Sequence, residues 1–134
     1  MDGYGFLAGL FSRATWSPGL TEIIGWTDCS EGLSFGTVLA GTAGGRPDDK
    51  IGVAGVIEGW SAEARAYFAA GGLGILIGDG QLNYRREKIL EAYYAYRLNK
   101  WATLTADYQF IQNPGYNADR GPVHILSGRL HAEF

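Results

Sequence analysis

The sequence predicts an all-β fold of antiparallel, up-and-down strands belonging to a transmembrane β-barrel. Three observations carry that expectation. The end of the chain alternates strictly. In the segment from Trp101 to Gln112, Ala102, Leu104, Ala106, Tyr108 and Phe110 share one face of a period-two strand, and Thr103, Thr105, Asp107 and Gln109 share the other. In the last segment Leu126, Gly128, Leu130, Ala132 and Phe134 oppose Ser127, Arg129, His131 and Glu133. A soluble sandwich strand rarely sets Arg, His and Glu in a row and ends on a bare aromatic; a strand between lipid and a wet lumen does so directly. Second, polar turn-rich runs (Ser17-Pro18-Gly19, Gly41–Lys50, Asn99-Lys100 and Asn113–Pro122) separate the alternating segments. Third, 21 glycines exceed the usual share of about 7% and suit tight turns and close strand packing. No stretch of about 18 apolar residues is present, so no transmembrane helix is expected. Strands hide their apolarity by alternating, and in hydrocarbon the sheet must close to satisfy its backbone.

The elements follow in order. Gly5–Trp16 reads as a first strand with Arg13 turned to the lumen and Trp16 in an interfacial aromatic girdle. A loop runs to about Asp28. Cys29–Ala40 is a second strand, with Leu33, Phe35, Thr37 and Leu39 outward and glycines and serines on its inner face. Ile51–Trp60 is a third, with Ile51, Val53, Gly55 and Ile57 outward and Glu58 inward. The longest connection, Ser61 to about Asn83, holds one short helix, with Ser61 as N-cap, alanines as helix formers and a stop at Gly71-Gly72. Leu73–Ile77 reads as a short strand or packed loop, and Gly78-Asp79-Gly80 as a turn. Tyr84–Leu98 is a fourth strand, Trp101–Gln112 a fifth, and the sixth finishes the chain. With Phe134 at the periplasmic end, Ser61–Asn83 and Asn113–Pro122 fall outside the cell and the short Asn99-Lys100 turn falls inside. The Gly41–Lys50 turn is long for its side.

The inward set is Arg13, Glu58, Glu87, Glu91, Tyr93, Arg97, Asp107, Gln109, Arg129, His131 and Glu133. As a set it reads as a polar channel wall whose charges and amides hydrogen-bond passing hydroxyls, with Tyr93 a sugar-stacking candidate. Member by member it also fits a solvated face held by cross-strand pairs worth about 0.2–1 kcal/mol each. The outward aromatics Trp16, Tyr94, Tyr96, Tyr108 and Phe110 read as lipid-facing girdle residues.

Other chemistries fare worse. Glu87 and Glu91 stand about 13 Å apart on one strand, against the roughly 5–9.5 Å of a glycosidase acid pair; a cross-strand partner such as Asp107 could stand nearer, so this spacing by itself leaves acid–base chemistry open. Gly72–Gly78 has neither the spacing nor the lysine of a phosphate loop. A single cysteine, Cys29, forms no internal disulfide and no Cys cluster for a metal. His124 and His131 fall on opposite faces, so no shared metal, and no cofactor, is expected. A net charge of −3 gives no reason to expect nucleic acid. At 46% apolar and 19% charged residues the chain is not of disordered composition.

The run Asp107-Tyr-Gln-Phe-Ile-Gln-Asn-Pro-Gly-Tyr-Asn-Ala-Asp-Arg-Gly-Pro-Val123, with Arg129–Phe134 at the terminus, resembles the end of the carbohydrate-selective, OprB-like porins of bacterial outer membranes. Gly78–Tyr94 and Gly45–Gly55 resemble earlier parts of that family's C-terminal region. The resemblance implies an outer-membrane diffusion channel for small sugars, not an enzyme, built on a barrel of roughly sixteen strands. It also implies that Phe134 is the terminal aromatic presented to the barrel-assembly machinery. Expected partners are outer-membrane lipid, sugars in transit, that machinery, and the remaining barrel strands or other protomers. About six strands are expected here, fewer than the eight at which membrane barrels start, so two edges should stand open. Met1-Asp2-Gly3-Tyr4 lacks the features of a secretory signal, which suggests that residues 1–134 are the C-terminal part of a longer barrel domain. A soluble all-β carbohydrate-binding module and a truncated, nonfunctional porin remnant stay open as alternatives.

Overall fold

The computed structural model describes residues 7–21, 29–74, 77–78 and 80–134. The expected strand start at Gly5, the loop over 22–28, residues 75–76 and Asp79 lie outside them. The elements in chain order are β1 (Ala8–Trp16), β2 (Glu31–Ala40), β3 (Lys50–Gly59), α1 (Ala62–Ala69), β4 (Glu87–Asn99), β5 (Ala102–Gln112) and β6 (Val123–Ala132). The strands form a single antiparallel sheet in the order β1-β2-β3-β4-β5-β6, each paired with its neighbour in sequence. The sheet is open: β1 and β6 are its edges, and every residue of both strands is exposed.

Alternation holds across the sheet because the register never slips between β1 and the middle of β4. Leu10 pairs with Thr37, Thr37 with Val53, Val53 with Ala92, Ala92 with Tyr108 and Tyr108 with Leu126. Similar rows, Phe35–Gly55–Leu90–Phe110–His124 and Leu39–Ile51–Tyr94–Ala106–Gly128, lie on either side of it. A one-residue slip in any pair would turn a whole strand over. The one irregularity falls between Arg97 and Asn99, beside the β4–β5 turn, where it no longer affects the faces above.

The two ends of the sheet differ. The connections 17–30, 60–86 and 113–122 leave from one end, which we call the loop end; 41–49 and 100–101 leave from the other, the turn end. Helix α1 starts where Ser61 Oγ accepts from the Ala64 amide at 3.1 Å. It stops at Gly71, whose φ of +92° an L side chain rarely adopts.

Three strands begin later than the periodicity predicts. β2 opens at Glu31 rather than Cys29, and β5 at Ala102 rather than Trp101. β4 opens at Glu87 rather than Tyr84, because the preceding segment takes the 113–122 connection as its partner. Tyr84 bridges Asn117, and the Arg85 amide donates to the Tyr116 carbonyl at 2.9 Å.

Candidate channel wall and its loop cap

Every residue predicted to point inward falls on one face of the sheet. Glu58 pairs with Glu87, Glu91 with Gln109, Tyr93 with Asp107, Arg97 with Thr103, Thr105 with Arg129 and Thr103 with His131, while Arg13 pairs with Ser34. Glu133 comes just after β6, and its amide donates to the Trp101 carbonyl at 2.8 Å. Along this face the composition is layered. Nearest the loop end come Glu58 and Glu87; then an apolar row of Val56, Ile89, Ile111 and Val123; then Glu91, Gln109, Tyr93 and Asp107; and last Lys50, Arg97, Arg129 and His131. Acids thus gather toward the loop end and bases toward the turn end, with two exceptions: Arg13 beside the apolar row and Glu133 at the turn end, where it meets His131. Parity alone locates the apolar row and Lys50, although polarity did not mark them as site residues.

The middle of the face is a ledge of hydrogen-bonding groups. Gln109 Nε2 donates to Glu91 Oε2 at 3.3 Å, and Ser127 Oγ to Asp107 Oδ1 at 3.4 Å. Beside them the Tyr93 ring lies flat over Gly52, where any Cβ would run into it; Phe11 covers Gly36 in the same way. Glycine on the neighbouring strand thus lets an aromatic ring lie along the wall. Nearer the turn end Arg97 is held by Thr103 Oγ1 at 3.0 Å and the Lys100 carbonyl at 2.6 Å, and His131 Nε2 meets Glu133 Oε1 at 2.8 Å.

Glu58 and Glu87 are different. They carry the seat of a small loop cap. Trp60 is 2% exposed, stacked on Phe68 at 4.2 Å between ring centroids and tilted against Tyr116 at 4.4 Å. Among the described residues these three form the whole buried apolar core, with Ala64, Ile77, Leu82 and Tyr84 packed around it. The Gly115 amide donates to Glu87 Oε2 at 2.7 Å, and the Tyr116 hydroxyl reaches Glu58 Oε2 at 3.5 Å. Tyr116 holds a φ of +59°, uncommon for an aromatic residue. Its buried ring and its hydroxyl contact fix it there, and burial pushes its phenol far above the ordinary range. Burial likewise raises the Cys29 thiol, whose Sγ donates to the Glu31 carbonyl at 3.1 Å. Nothing in the linear pattern of Trp60 or Tyr116 marks them as a cap.

The opposite face is apolar and exposed: Leu10, Leu33, Phe35, Ile51, Val53, Leu90, Leu104, Leu126 and Leu130 all stand open. The five aromatics expected in a girdle share this face: Trp16 opposite Glu31, Tyr94 opposite Ile51, Tyr96 opposite Leu104, Tyr108 opposite Ala92 and Phe110 opposite Leu90. The structure adds a clamp at the turn end. Asp49, 1% exposed, accepts from Arg46 Nε at 2.5 Å, from the Arg97 amide at 2.8 Å and from the Tyr94 hydroxyl. Arg46 also lies 4.0 Å over the Tyr96 ring. The 41–49 connection, long for a turn, folds back on the apolar face and ties off two of its tyrosines. The bond from Arg46 holds the Asp49 carboxyl well below the usual range. Phe134 is fully exposed at the terminus.

An open antiparallel sheet of six strands with one apolar and one polar face, each strand paired with its neighbour in sequence, fits part of a porin β-barrel wall. The model of the carbohydrate-selective porin, OprB family matches residues 8–134, so this chain belongs to that family. The family is one of channels, not of enzymes, and implies the bacterial outer membrane as its location. No curated protein and no solved structure matches the chain.

Proposed function

We propose that this chain forms the C-terminal part of a passive diffusion channel for small sugars in the bacterial outer membrane. The observation that carries the reading is the two-faced register, maintained over six strands, with its ledge of carboxylates, amide and ring on one side. The apolar face meets lipid and the polar face lines the lumen. Lys88 and Tyr96 bound the uncharged part of the apolar face, about 26 Å apart along β4 at a rise near 3.3 Å. At a strand tilt near 40° that is roughly 20 Å along the membrane normal, close to the ~25 Å band of known barrels. Further strands pair with β1 and β6 to close the barrel, because neither edge tolerates hydrocarbon.

In this orientation the cap faces the outside and Asp49 the periplasm. Sugars pass the cap, cross the apolar row and meet Glu91, Gln109 and Asp107, whose groups exchange hydrogen bonds with sugar hydroxyls while Tyr93 offers a ring face. No covalent step is involved. Phe134 is read by the assembly machinery. Swelling of proteoliposomes carrying the barrel in solutions of monosaccharides, disaccharides and a large dextran tests this. Sugar-dependent swelling that Glu91→Gln and Asp107→Asn together alter supports the reading. Swelling absent for every small sugar, or a protein that stays in solution without detergent, refutes it.

A further inference from the structure

The polar face carries a second aromatic ring placed to work with Tyr93. Phe11 stands on β1 and leans over Gly36 of β2; Tyr93 stands on β4 and leans the other way, over Gly52 of β3. A Cβ built on either glycine would run into Cε1 and Cζ of the ring above it. The two rings thus converge on the β2–β3 pair from opposite sides. Gly52 lies opposite Val38, two residues along β2 from Gly36, so the glycines are diagonal neighbours about 7–8 Å apart, and the rings over them are spaced alike. The rings also stand at successive heights. Phe11 lies in the row of Ala54, Glu91 and Gln109, and Tyr93 in the next row toward the turn end, with Asp107. Each ring therefore has a carboxylate in its own row. Beside the rings the face is floored by Gly9, Val38 and Ala54, and a Cβ on Gly9 would meet nothing within 4 Å, so the space above this floor is open.

Covering a glycine accounts for the lower side of each ring. It does not account for the upper side: Phe11 is 50% exposed and Tyr93 is half-buried, so both present ring surface to the space over the face. The negative face of an aromatic ring takes the C–H side of a pyranose, whose hydroxyls then point sideways to carboxylates and amides. A single pyranose can use one ring at a time. A linear sugar of two or more pyranose units can lie on both, and its second contact is then intramolecular, which raises affinity without new chemistry. We infer that Phe11 and Tyr93 form a two-step stacking track that selects linear disaccharides and longer pyranose chains over monosaccharides, with Glu91, Gln109 and Asp107 taking their hydroxyls. This rests on the reading of the polar face as the lumen of a sugar channel.

The test is the ion current through single channels of the closed barrel in planar bilayers, with cellobiose, glucose or sorbitol (an acyclic polyol without a ring face) added. A sugar held in the lumen interrupts the current, and the concentration for half-maximal block reads its affinity. Cellobiose should block at a concentration about tenfold or more below that of glucose, and sorbitol should not block. Phe11→Leu keeps a side chain over Gly36 but removes the ring face. It should raise the cellobiose value about three- to tenfold and the glucose value by no more than about twofold, because glucose keeps the station at Tyr93. Phe11→Tyr should keep both values of the unaltered barrel. Cellobiose no tighter than glucose, an equal block by sorbitol, or a cellobiose block unchanged in Phe11→Leu overturns the track. Should the variant not fold, the comparison of the three solutes on the unaltered barrel still decides. In each of these cases glucose flux leaves the channel itself standing, whereas a barrel that passes no small sugar fails the channel reading and the track together.

Discussion

Leu126 and Ser127 are neighbours on β6 and point to opposite faces, and an arginine at each gives a sharp test of what those faces touch. Leu126 is 82% exposed in the sheet and Ser127 is also exposed, so neither arginine would clash. In water both changes would fall within about ±0.5 kcal/mol. In a membrane they separate. Leu126 ends the row of Ala92 and Tyr108, and Ala92 lies midway between Lys88 and Tyr96, so at a strand tilt near 40° Leu126 lies inside the apolar band, about 6 Å from its middle. An arginine there should cost about 1–3 kcal/mol, or roughly 5- to 150-fold in the folding equilibrium. Ser127→Arg adds a cation beside Asp107 on the polar face and should cost under about 0.5 kcal/mol. The assay is urea titration of the barrel in phospholipid vesicles, followed by heat-modifiable migration. If Leu126→Arg is tolerated as well as Ser127→Arg, or if the order is reversed, the assignment of faces is wrong.

Three further outcomes follow from particular contacts. Trp60→Ala should open the loop cap: losing a buried tryptophan costs about 3–5 kcal/mol, so tryptic cleavage near Arg65 and Arg85 should speed by about a hundredfold or more until opening saturates, with Trp60→Phe closer to the unaltered protein. Asp49→Asn should lower the temperature of loss of heat-modifiable migration at neutral pH. The folded Asp49 carboxyl titrates below its unfolded value of about 4, so its contribution is present above that value and is lost only as pH falls through the lower folded one; the gap between variant and unaltered protein should therefore persist to about pH 4 and close in stronger acid. Gly52→Leu should lift the Tyr93 ring off the wall into the lumen and lower single-channel conductance in planar bilayers, and an unchanged conductance would contradict the flat placement of that ring.

Much of this was legible because period two is a local property. Once Ala102, Leu104 and Ala106 are assigned to one face, the faces of Glu91, Tyr93 and Asp107 follow from neighbour-to-neighbour pairing, and a short hairpin turn such as Asn99-Lys100 fixes register without long-range information. Ser61 was legible as an N-cap for the same reason. What escaped is what long connections do after leaving the sheet. Asp49 reads as one acid in a polar turn, and only the fold brings Tyr94 and the Arg97 amide to it. Trp60 reads as the end of a strand, yet its partners Phe68 and Tyr116 lie in two different connections. The periodicity places the start of β4 too early for the same reason, since Tyr84 has strand-like neighbours in sequence and pairs with Asn117 instead.

Glu58 and Glu87 show why the cap and the wall must be considered together. Two carboxylates directly opposite on adjacent strands repel, and a sheet in water would gain by replacing either. Here each is met by a donor from the 113–122 connection, the Gly115 amide on Glu87 and the Tyr116 hydroxyl on Glu58. The same tyrosine packs its ring on Trp60, which reaches through Phe68 to helix α1. The acid pair is therefore tolerable only while the connection is seated, and the connection is seated partly because the pair is there to accept. On the proposed channel reading, a mouth built in this way carries its carboxylates already hydrogen-bonded when closed over by the cap. On that reading, displacing the cap would bare two carboxylates at the outer end of the lumen, where they would favour cations and repel anionic solutes. The cap and the charge of the mouth are in that sense one structural variable rather than two.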